Sequence, residues 1–182
     1  TGEDGFEISV AGTQADALAR RLISFAQVEP IGLGARDSLR LEAGLCLYGH
    51  ELNTEIDPVQ AGLLWSISKA RRADGVRAGG FPGADVIFER IENKPPLRRV
   101  GLSVEGKRPV RDGQRVLDSD GKPVGEICSA GYGASVGRPI AIAYIQRELG
   151  EPGTALAVDV RGKLLPVTVT RMPFSPQRYY RG

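Results

Sequence analysis

The strongest constraint on the fold lies beyond residue 97, where short runs rich in Val, Ile and Leu alternate with glycine-containing turns. Two of these turns, Ser119–Lys122 and Val160–Lys163, carry the residue pairs that typically close β-hairpins. Several strands of this length at short intervals predict a small antiparallel barrel or sandwich. We expect Lys163-Leu164 to pair back on Ala157–Val160. The predicted strands are Arg99–Val104, Arg115–Leu117, Val124–Ser129, Ile140–Ile145, Ala155–Val160 and Leu164–Thr170.

The first residues show a different period. Phe6, Ile8 and Val10 alternate with Glu7 and Ser9, which predicts a half-buried strand. If the apolar side chains face the core, Glu7 projects from the opposite face of that strand, where a ligand or solvent could meet it.

Three helices are predicted between this strand and residue 93. The first is amphipathic, begins with an N-cap signature at Thr13 and Asp16, and is expected to cover a sheet. The second ends at Gly44, because glycine enters the left-handed conformation cheaply. The Lys94-Pro95-Pro96 run breaks the pattern and predicts a boundary between domains 1–96 and 97–182. The predicted helices are 13–26, 36–43 and 84–92, and a further strand is predicted at 63–67.

Composition narrows the possible partners. The net charge is +2, from 24 basic and 22 acidic residues, and the short basic pairs are not interleaved with aromatic residues. We therefore interpret these pairs as solvated faces and expect no nucleic-acid partner. No apolar run approaches the roughly 18 residues of a membrane helix, so no membrane partner is expected, and no secretion signal is visible.

The residues that most often perform catalysis or bind metals are few. Cys46 and Cys128 are expected to be reduced thiols in the core, and His50 is expected to be exposed or capping. With one histidine and no Cys/His cluster, no metal site is expected. Arg36 stands near a helix start, where a cation opposes the helix dipole, so we expect it to have an acidic partner or a ligand. Arg40 and Glu42 are expected to pair on their own helix.

Five motifs carry a resemblance to a known family. They are Gly-Glu-Asp-Gly-Phe-Glu at 2–7, Ala-Arg-Asp-Ser-Leu-Arg-Leu-Glu-Ala-Gly-Leu at 35–45, Pro58-Val59 ahead of Trp65, Asp-Gly-Lys-Pro-Val-Gly-Glu-Ile-Cys-Ser at 120–129, and the ending Met172-Pro173-Phe174 with Tyr179-Tyr180. Together they span nearly the whole chain, which resembles the C-terminal portion of the aminomethyltransferase of the glycine cleavage system, the T-protein.

The resemblance implies an α+β fold, in which part of a folate-binding α/β domain is followed by a small antiparallel β-barrel domain. It implies transfer of the aminomethyl carbon from a lipoyl arm on H-protein to tetrahydrofolate, with release of ammonia. Tetrahydrofolate would be the co-substrate, and no metal is implied. The implied location is the bacterial cytoplasm or the mitochondrial matrix.

Three residues match positions at the family's folate site. Glu7 matches the glutamate that recognises the pterin ring, whose amino group and ring N–H form a donor pair for a carboxylate. Arg36 matches the arginine at the site, although a salt bridge at the helix start, with Glu7 itself, is also possible on the sequence. Tyr179 lies where the family's C-terminal tail reaches back to the pocket, either as a ligand contact or as packing.

The sequence departs from the family in one respect. The family's catalytic aspartate matches a position upstream of residue 1, so no catalytic residue is assigned here, and the N-terminal half of the enzyme is an implied partner. We therefore expect the chain alone to be inactive. Two alternatives stay open: a folate-binding or scaffold module without transferase activity, and the folate domain of a sarcosine or dimethylglycine oxidase or demethylase.

Overall fold

The computed structural model describes residues 1–182. It contains three α-helices and six β-strands, with three short 3₁₀ turns at Leu64–Ser66, Lys69–Arg71 and Arg147–Leu149. The helices are α1 Gly12–Ile23, α2 Leu33–Glu42 and α3 Ala84–Asn93. The strands are β1 Leu97–Val104, β2 Arg115–Leu117, β3 Pro123–Gly133, β4 Arg138–Gln146, β5 Ala155–Val160 and β6 Lys163–Thr170.

The six strands form a closed barrel in the order β1-β4-β3-β2-β5-β6, with every neighbouring pair antiparallel. All six predicted strands are confirmed, and β5 pairs with β6 through the predicted hairpin. Of the two expected architectures the barrel is the correct one. Closure leaves no open sheet edge, so every backbone ladder has a partner on both sides.

The interior of the barrel follows the alternation in the sequence. On β1, Val100, Leu102 and Val104 point inward and are buried, whereas Ser103 between them is half-buried on the outer face. The core is made almost entirely of small and β-branched side chains, which suit the confined interior of a six-stranded barrel. Its other members include Val116, Val124, Ile127, Ala141, Ala143, Ile145, Leu156, Val158, Val167 and Val169.

Strand β4 is buried on both faces, from Pro139 to Ile145. Its outward residues Ile140 and Ile142 pack with Leu41 of α2, so the helix lies on the outside of the barrel against β3 and β4. A β-bulge between Ile127 and Ser129 shifts the register of β3, and Ser129 pairs with the outward-facing Ile142. The bulge thus turns a hydroxyl toward α2.

The predicted strand at residues 6–10 is wrong. The structure assigns these residues no regular element, and Phe6 is 98% exposed. A strand needs a neighbour to satisfy its backbone groups, and every strand ladder of this structure lies within the barrel. The alternation of Phe6, Ile8 and Val10 therefore describes a segment whose apolar side chains are exposed.

Two further expectations about the first ninety residues need correction. Helix α1 forms, and its apolar stripe is real, but none of its residues is buried and it covers no sheet. The segment Leu63–Ile67 is a 3₁₀ turn rather than a strand. Arg72 donates to the carbonyl oxygens of Leu64 and Ile67, at 2.8 and 3.1 Å, and these bonds favour a compact turn over an extended chain.

The interpretation of the basic pairs as solvated faces is wrong for Arg71-Arg72 and Arg98-Arg99, which are half-buried. Arg99 donates from Nε to the carbonyl oxygen of Ala61 and from a terminal nitrogen to that of Gly44, both at 2.7 Å. Arg99 thus holds two loops of the first ninety residues against β1 by satisfying their backbone carbonyls.

The proposed division at residue 96 stays a prediction. Helix α3 ends at Asn93 and β1 begins at Leu97, so the proline pair lies between the two elements. Among the helices, none has the length and apolar character needed to span a bilayer.

The packing of the barrel leaves no space for a side chain at Gly125 on β3. A Cβ added there would overlap the carbonyl oxygen of Tyr144 and would stand 2.7 Å from the Cα of Ile145. We expect Gly125→Ala to lower the free energy of unfolding by about 1–3 kcal/mol, measured by urea denaturation. Gly5→Ala is the control, because no atom lies within 4 Å of the added Cβ. Equal stability of the two variants would contradict the packing argument.

Candidate functional site

Glu7 and Arg36, the two residues predicted at the folate site, line the same cleft. Its volume is about 420 Å³, and its other walls are Thr1, Glu3, Asp4, Gly5 and Phe6. Glu7 and Arg36 are both exposed to solvent. The structure therefore brings the carboxylate and the guanidinium to one place, although Glu7 arrives on an irregular segment rather than on a strand.

Helix α2 places Arg36 in its first turn. Gly32 is the N-cap, in an extended conformation, and the first turn contains no acidic residue. Arg36 takes part in no ion pair, so the salt bridge with Glu7, which the sequence left open as an alternative, is not formed. Arg36 is the one cationic side chain in a cleft that also carries the carboxylates of Glu3, Asp4 and Glu7, and its unpaired guanidinium remains available to a carbonyl-bearing ligand.

The other end of α2 is fixed by the predicted glycine stop. Gly44 has a φ of 68°. Its N–H bonds to the carbonyl of Leu41 at 2.9 Å, and the N–H of Leu45 bonds to that of Arg40 at 2.9 Å. This is the Schellman pattern, in which a left-handed residue closes the helix. A Cβ on Gly44 would also stand 2.8 Å from the side chain of Met172, so the C-terminal tail occupies the space that glycine leaves.

The C-terminal tail runs back across α2 to the first residues. Phe174 N–H donates to the carbonyl oxygen of Glu42 at 2.8 Å, and Tyr180 N–H donates to Oδ2 of Asp4 at 2.7 Å. Tyr179 is half-buried next to this contact but does not line the cleft itself. The tail thus reaches the rim of the cleft through Tyr180, and the role of Tyr179 stays a prediction.

A buried ionic network joins α2 to the barrel, and the sequence did not reveal it. Arg40 is 5% exposed and uses every nitrogen of its guanidinium. Nε donates to Asp37 at 2.7 Å, one terminal nitrogen to Glu51 at 2.9 Å, and the other to Ser129 on the β3 bulge at 2.9 Å. Arg40 therefore ties its own helix, the following loop and the barrel together.

The expected pairing on the helix holds for Arg40, which bonds Asp37, but not for Glu42. Glu42 forms no ion pair and accepts a hydrogen bond from the backbone N–H of Ser135 at 2.8 Å, in the β3–β4 turn. The second carboxylate partner of Arg40, Glu51, is completely buried and also accepts from the N–H of Leu47 at 3.0 Å, while its Oε1 has no hydrogen-bond partner. Glu51 lies in the loop after α2, beyond the end of the helix at Glu42, so only the tertiary fold reveals this pair.

His50 and the two cysteines surround this network. Nδ1 of His50 lies 3.0 Å from the carbonyl oxygen of Cys128 and 3.1 Å from Oδ2 of Asp112, so His50 joins its loop to the barrel. Both cysteines are free thiols. Burial raises the pKa of Cys46, and it raises the pKa of Cys128 to about 12. Burial also raises the pKa of Tyr144, whose hydroxyl donates to the carbonyl oxygen of Glu51 at 2.9 Å.

The described residues contain no group of three His, Cys, Asp or Glu side chains arranged to hold a metal ion. The side chains that line the cleft offer three carboxylates, from Glu3, Asp4 and Glu7, and one guanidinium, from Arg36. Such a set can recognise a planar heterocycle with adjacent donors and acceptors.

Sequence comparison assigns both halves of the chain to one family. Residues 98–175 match the profile described as the glycine cleavage T-protein C-terminal barrel domain, and residues 1–71 match the GCVT N-terminal domain. The chain is 49% identical over 180 residues to the mitochondrial aminomethyltransferase of Gallus gallus, covering 99% of this chain and 45% of that protein. It is 47% identical over 183 residues to that of Flaveria anomala, covering 100% and 44%.

Structural comparison agrees with the sequence. The crystal structure of the glycine cleavage system aminomethyltransferase T from Bartonella henselae superposes with a TM-score of 0.83 and 35% identity, over 93% of this chain and 46% of that chain. The chain thus spans somewhat less than half the length of the relatives it matches.

The buried pair generates a prediction for stability. Arg40→Met leaves the carboxylate of Glu51 buried without a cation, and we expect it to cost about 3–5 kcal/mol of unfolding free energy. The double variant Arg40→Met/Glu51→Met removes both charges and should recover much of that loss. Urea denaturation of the three proteins measures the difference.

The control for this cycle is the exposed pair Asp16–Arg20, whose side chains are 75% and 78% accessible. Arg20→Met should cost less than about 1 kcal/mol. If the double variant were as unstable as Arg40→Met, the loss would come from packing rather than from the unpaired charge.

The raised thiol pKa values generate a second prediction. With a pKa of about 12, Cys128 is roughly one part in ten thousand thiolate at pH 8, and the thiolate is the reactive form. We expect both cysteines to react with a disulfide reagent at least tenfold more slowly in the folded protein than in urea. Rapid modification of Cys128 in the folded state would contradict its burial.

Proposed function

Because this chain belongs to the glycine cleavage T-protein family, we propose that it is the C-terminal half of a tetrahydrofolate-dependent aminomethyltransferase. In the proposed reaction the aminomethyl carbon passes from lipoylated H-protein to tetrahydrofolate, and ammonia is released. One observation carries the assignment of the site: Glu7 and Arg36 converge on a single cleft, and neither is consumed by an ion pair within the chain.

Glu7 is proposed to hold the pterin ring. The ring presents an amino group beside a ring N–H, and a carboxylate accepts such a pair through both oxygens. Glu7 is exposed, so its two oxygens are free for this geometry. A heterocycle without this donor pair would bind more weakly, because it would remove water from the Glu7 carboxylate without giving it a hydrogen bond in return.

Arg36 is proposed to provide the complementary donors. Its guanidinium is planar and permanently charged, and it also borders an adjoining space of about 330 Å³ formed with Leu33, Gly34, Asp37 and Leu47. The neighbouring carboxylate of Asp37 accepts a hydrogen bond from Arg40 at 2.7 Å, so it does not compete with a ligand for the guanidinium of Arg36. Tyr179 is proposed to close the site from the tail, since Tyr180 is bonded to Asp4 in the cleft wall.

Catalysis in the complete enzyme would rest on positioning and proton transfer. The pocket would hold N5 of tetrahydrofolate next to the methylene carbon of the lipoyl adduct. We propose that the carboxylate assisting this attack is supplied by the N-terminal half, which is therefore a partner of this chain. Exposed apolar side chains such as Phe6, Ile31 and Leu33 offer that half a surface on which to pack.

The relatives in Gallus gallus and Flaveria anomala are named as mitochondrial proteins. We propose the mitochondrial matrix for this chain if its source is a eukaryote, and the cytoplasm if it is a bacterium.

The pterin contact predicts the effect of removing the carboxylate. In the full-length transferase, Glu7→Ala should weaken tetrahydrofolate binding by more than about 1.5 kcal/mol, the scale of a hydrogen bond to a charged group. Isothermal titration calorimetry measures the dissociation constant. Glu29→Ala is the matched control, because Glu29 is equally exposed but does not line the cleft. An unchanged dissociation constant for Glu7→Ala would refute the pterin role.

The second prediction separates the transferase from a binding module that performs no chemistry. The cleft of this chain is open to solvent, and Glu7 and Arg36 are exposed. We therefore expect the isolated chain to show no aminomethyl transfer with lipoylated H-protein and tetrahydrofolate, and the chain combined with the N-terminal half to show it. Transfer by the isolated chain would disprove the need for that half. Folate binding without transfer by the combined halves would favour the binding module.

A further inference from the structure

A second cleft, of about 360 Å³, lies between the loop 105–114 and the β5–β6 hairpin. Four of its seven lining residues are cations, namely Arg108, Arg111, Arg161 and Lys163, and no acidic residue lines it. None of these four takes part in an ion pair. The whole chain has a net charge of only +2, but four of its positive charges lie together in this one cleft on the barrel.

The acidic side chains of the loop and of the hairpin face other groups. Glu105, the first residue of the loop, lines a different cleft with Arg138 and Arg171. Asp112, in the same loop, lies 3.1 Å from Nδ1 of His50. Asp159, at the start of the hairpin turn, accepts a hydrogen bond from the N–H of Gly162 at 2.7 Å. The four cations of the cleft thus form no ion pair with these or other carboxylates, and like charges held together are costly unless an anion joins them.

The loop that carries Arg108 and Arg111 is anchored rather than free. Val110, between them, is 3% exposed and packs into the barrel core. Gln114 accepts from the N–H of Arg111 through its side chain at 2.8 Å. The N–H of Gly113 bonds to the carbonyl of Ile127 on β3, also at 2.8 Å. The two guanidinium groups thus start from a fixed backbone, which lowers the entropy lost on binding.

Arg161 occupies a position of the β5–β6 turn whose backbone conformation is unfavourable for arginine. Its φ is 55°, and Gly162 follows with a φ of 78°, so both central residues of the turn are left-handed. Asn, Asp or Gly usually occupies the first of these positions, because other side chains are strained there. An arginine kept in a strained backbone position beside three other cations points to a function of its guanidinium.

We propose that this cleft binds a small ligand that carries two or more anionic oxygens, as phosphate or carboxylate groups. Arginine offers paired donors that match both groups. No aromatic residue lines the cleft and Val160 is its main apolar contact, so it suits neither a stacked base nor a lipid chain. Its volume is within the range of small-ligand sites. This inference is independent of the folate site.

The test uses this chain with inorganic pyrophosphate and citrate as probes, titrated in calorimetry at fixed ionic strength. We expect saturable binding of at least one probe, and the preferred probe identifies phosphate or carboxylate as the source. Arg108→Gln/Arg161→Gln should weaken that binding at least tenfold. Arg138→Gln/Arg171→Gln removes the same charge from exposed positions elsewhere on the barrel and should change the dissociation constant less than twofold.

Arg161→Asn supplies a readout that a structural role would not give. Asparagine suits the left-handed turn, so the variant should unfold at a higher temperature than the parent while binding the probe more weakly. If Arg108→Gln/Arg161→Gln and Arg138→Gln/Arg171→Gln weakened probe binding equally, the effect would come from the net charge of the protein rather than from the cleft, and the proposal would be overturned. Absence of saturable binding by both probes would overturn it as well, including the case in which only an acidic protein binds.

Discussion

The Arg40–Glu51 ion pair is the interaction on which the arrangement of this chain depends. It is buried between α2, the loop after it and the β3 bulge, and one guanidinium serves all three. A buried pair of this kind gains little over apolar packing in free energy, but it tolerates only one geometry, because any displacement leaves a charge unpaired. Here that geometry sets the position of α2 on the barrel. The Arg99 contacts to Gly44 and Ala61 reinforce the same position from β1.

The position of α2 in turn determines where Arg36 lies in the cleft that it lines with Glu7. Arg36 stands one turn before Arg40, so a helix locked at Arg40 cannot rotate Arg36 away from Glu7. Arg40 also engages Asp37 and thereby keeps a carboxylate from neutralising the neighbouring guanidinium. The tail adds a restraint through Glu42 and Asp4. The buried ion pair of Arg40 and the proposed ligand site at Arg36 therefore share helix α2. Because Arg40 binds Asp37, that carboxylate does not pair with Arg36.

The sequence alone predicted those features that depend on near neighbours. The six strands, the β5–β6 hairpin, all three helices and the stop at Gly44 follow from alternation, glycine position and helical period. The resemblance places Glu7 and Arg36 at one site, which stays a prediction; in the structure both line one cleft, although the predicted strand under Glu7 did not form. That strand and the packing of α1 required a covering partner, which a local pattern cannot specify. The sequence did not reveal the pairing of Arg40 with Glu51, because α2 ends at Glu42 and Glu51 reaches Arg40 only through the path of the following loop.

The arginines of this chain divide by what their guanidinium groups contact, and this division is more informative than their number. Arg72 and Arg99 bind backbone carbonyls, and Arg40 binds side chains in the interior, so these three are part of the fold. Arg36 lines a cleft without an ionic partner, and so do Arg108, Arg111 and Arg161 at the second cleft. Arginines of the first kind lose their hydration to protein acceptors during folding, whereas those of the second kind keep it until an external anion replaces the water. On this physical basis we propose that the unpaired guanidinium groups that line these two clefts, rather than the total charge, mark the surfaces where ligands bind.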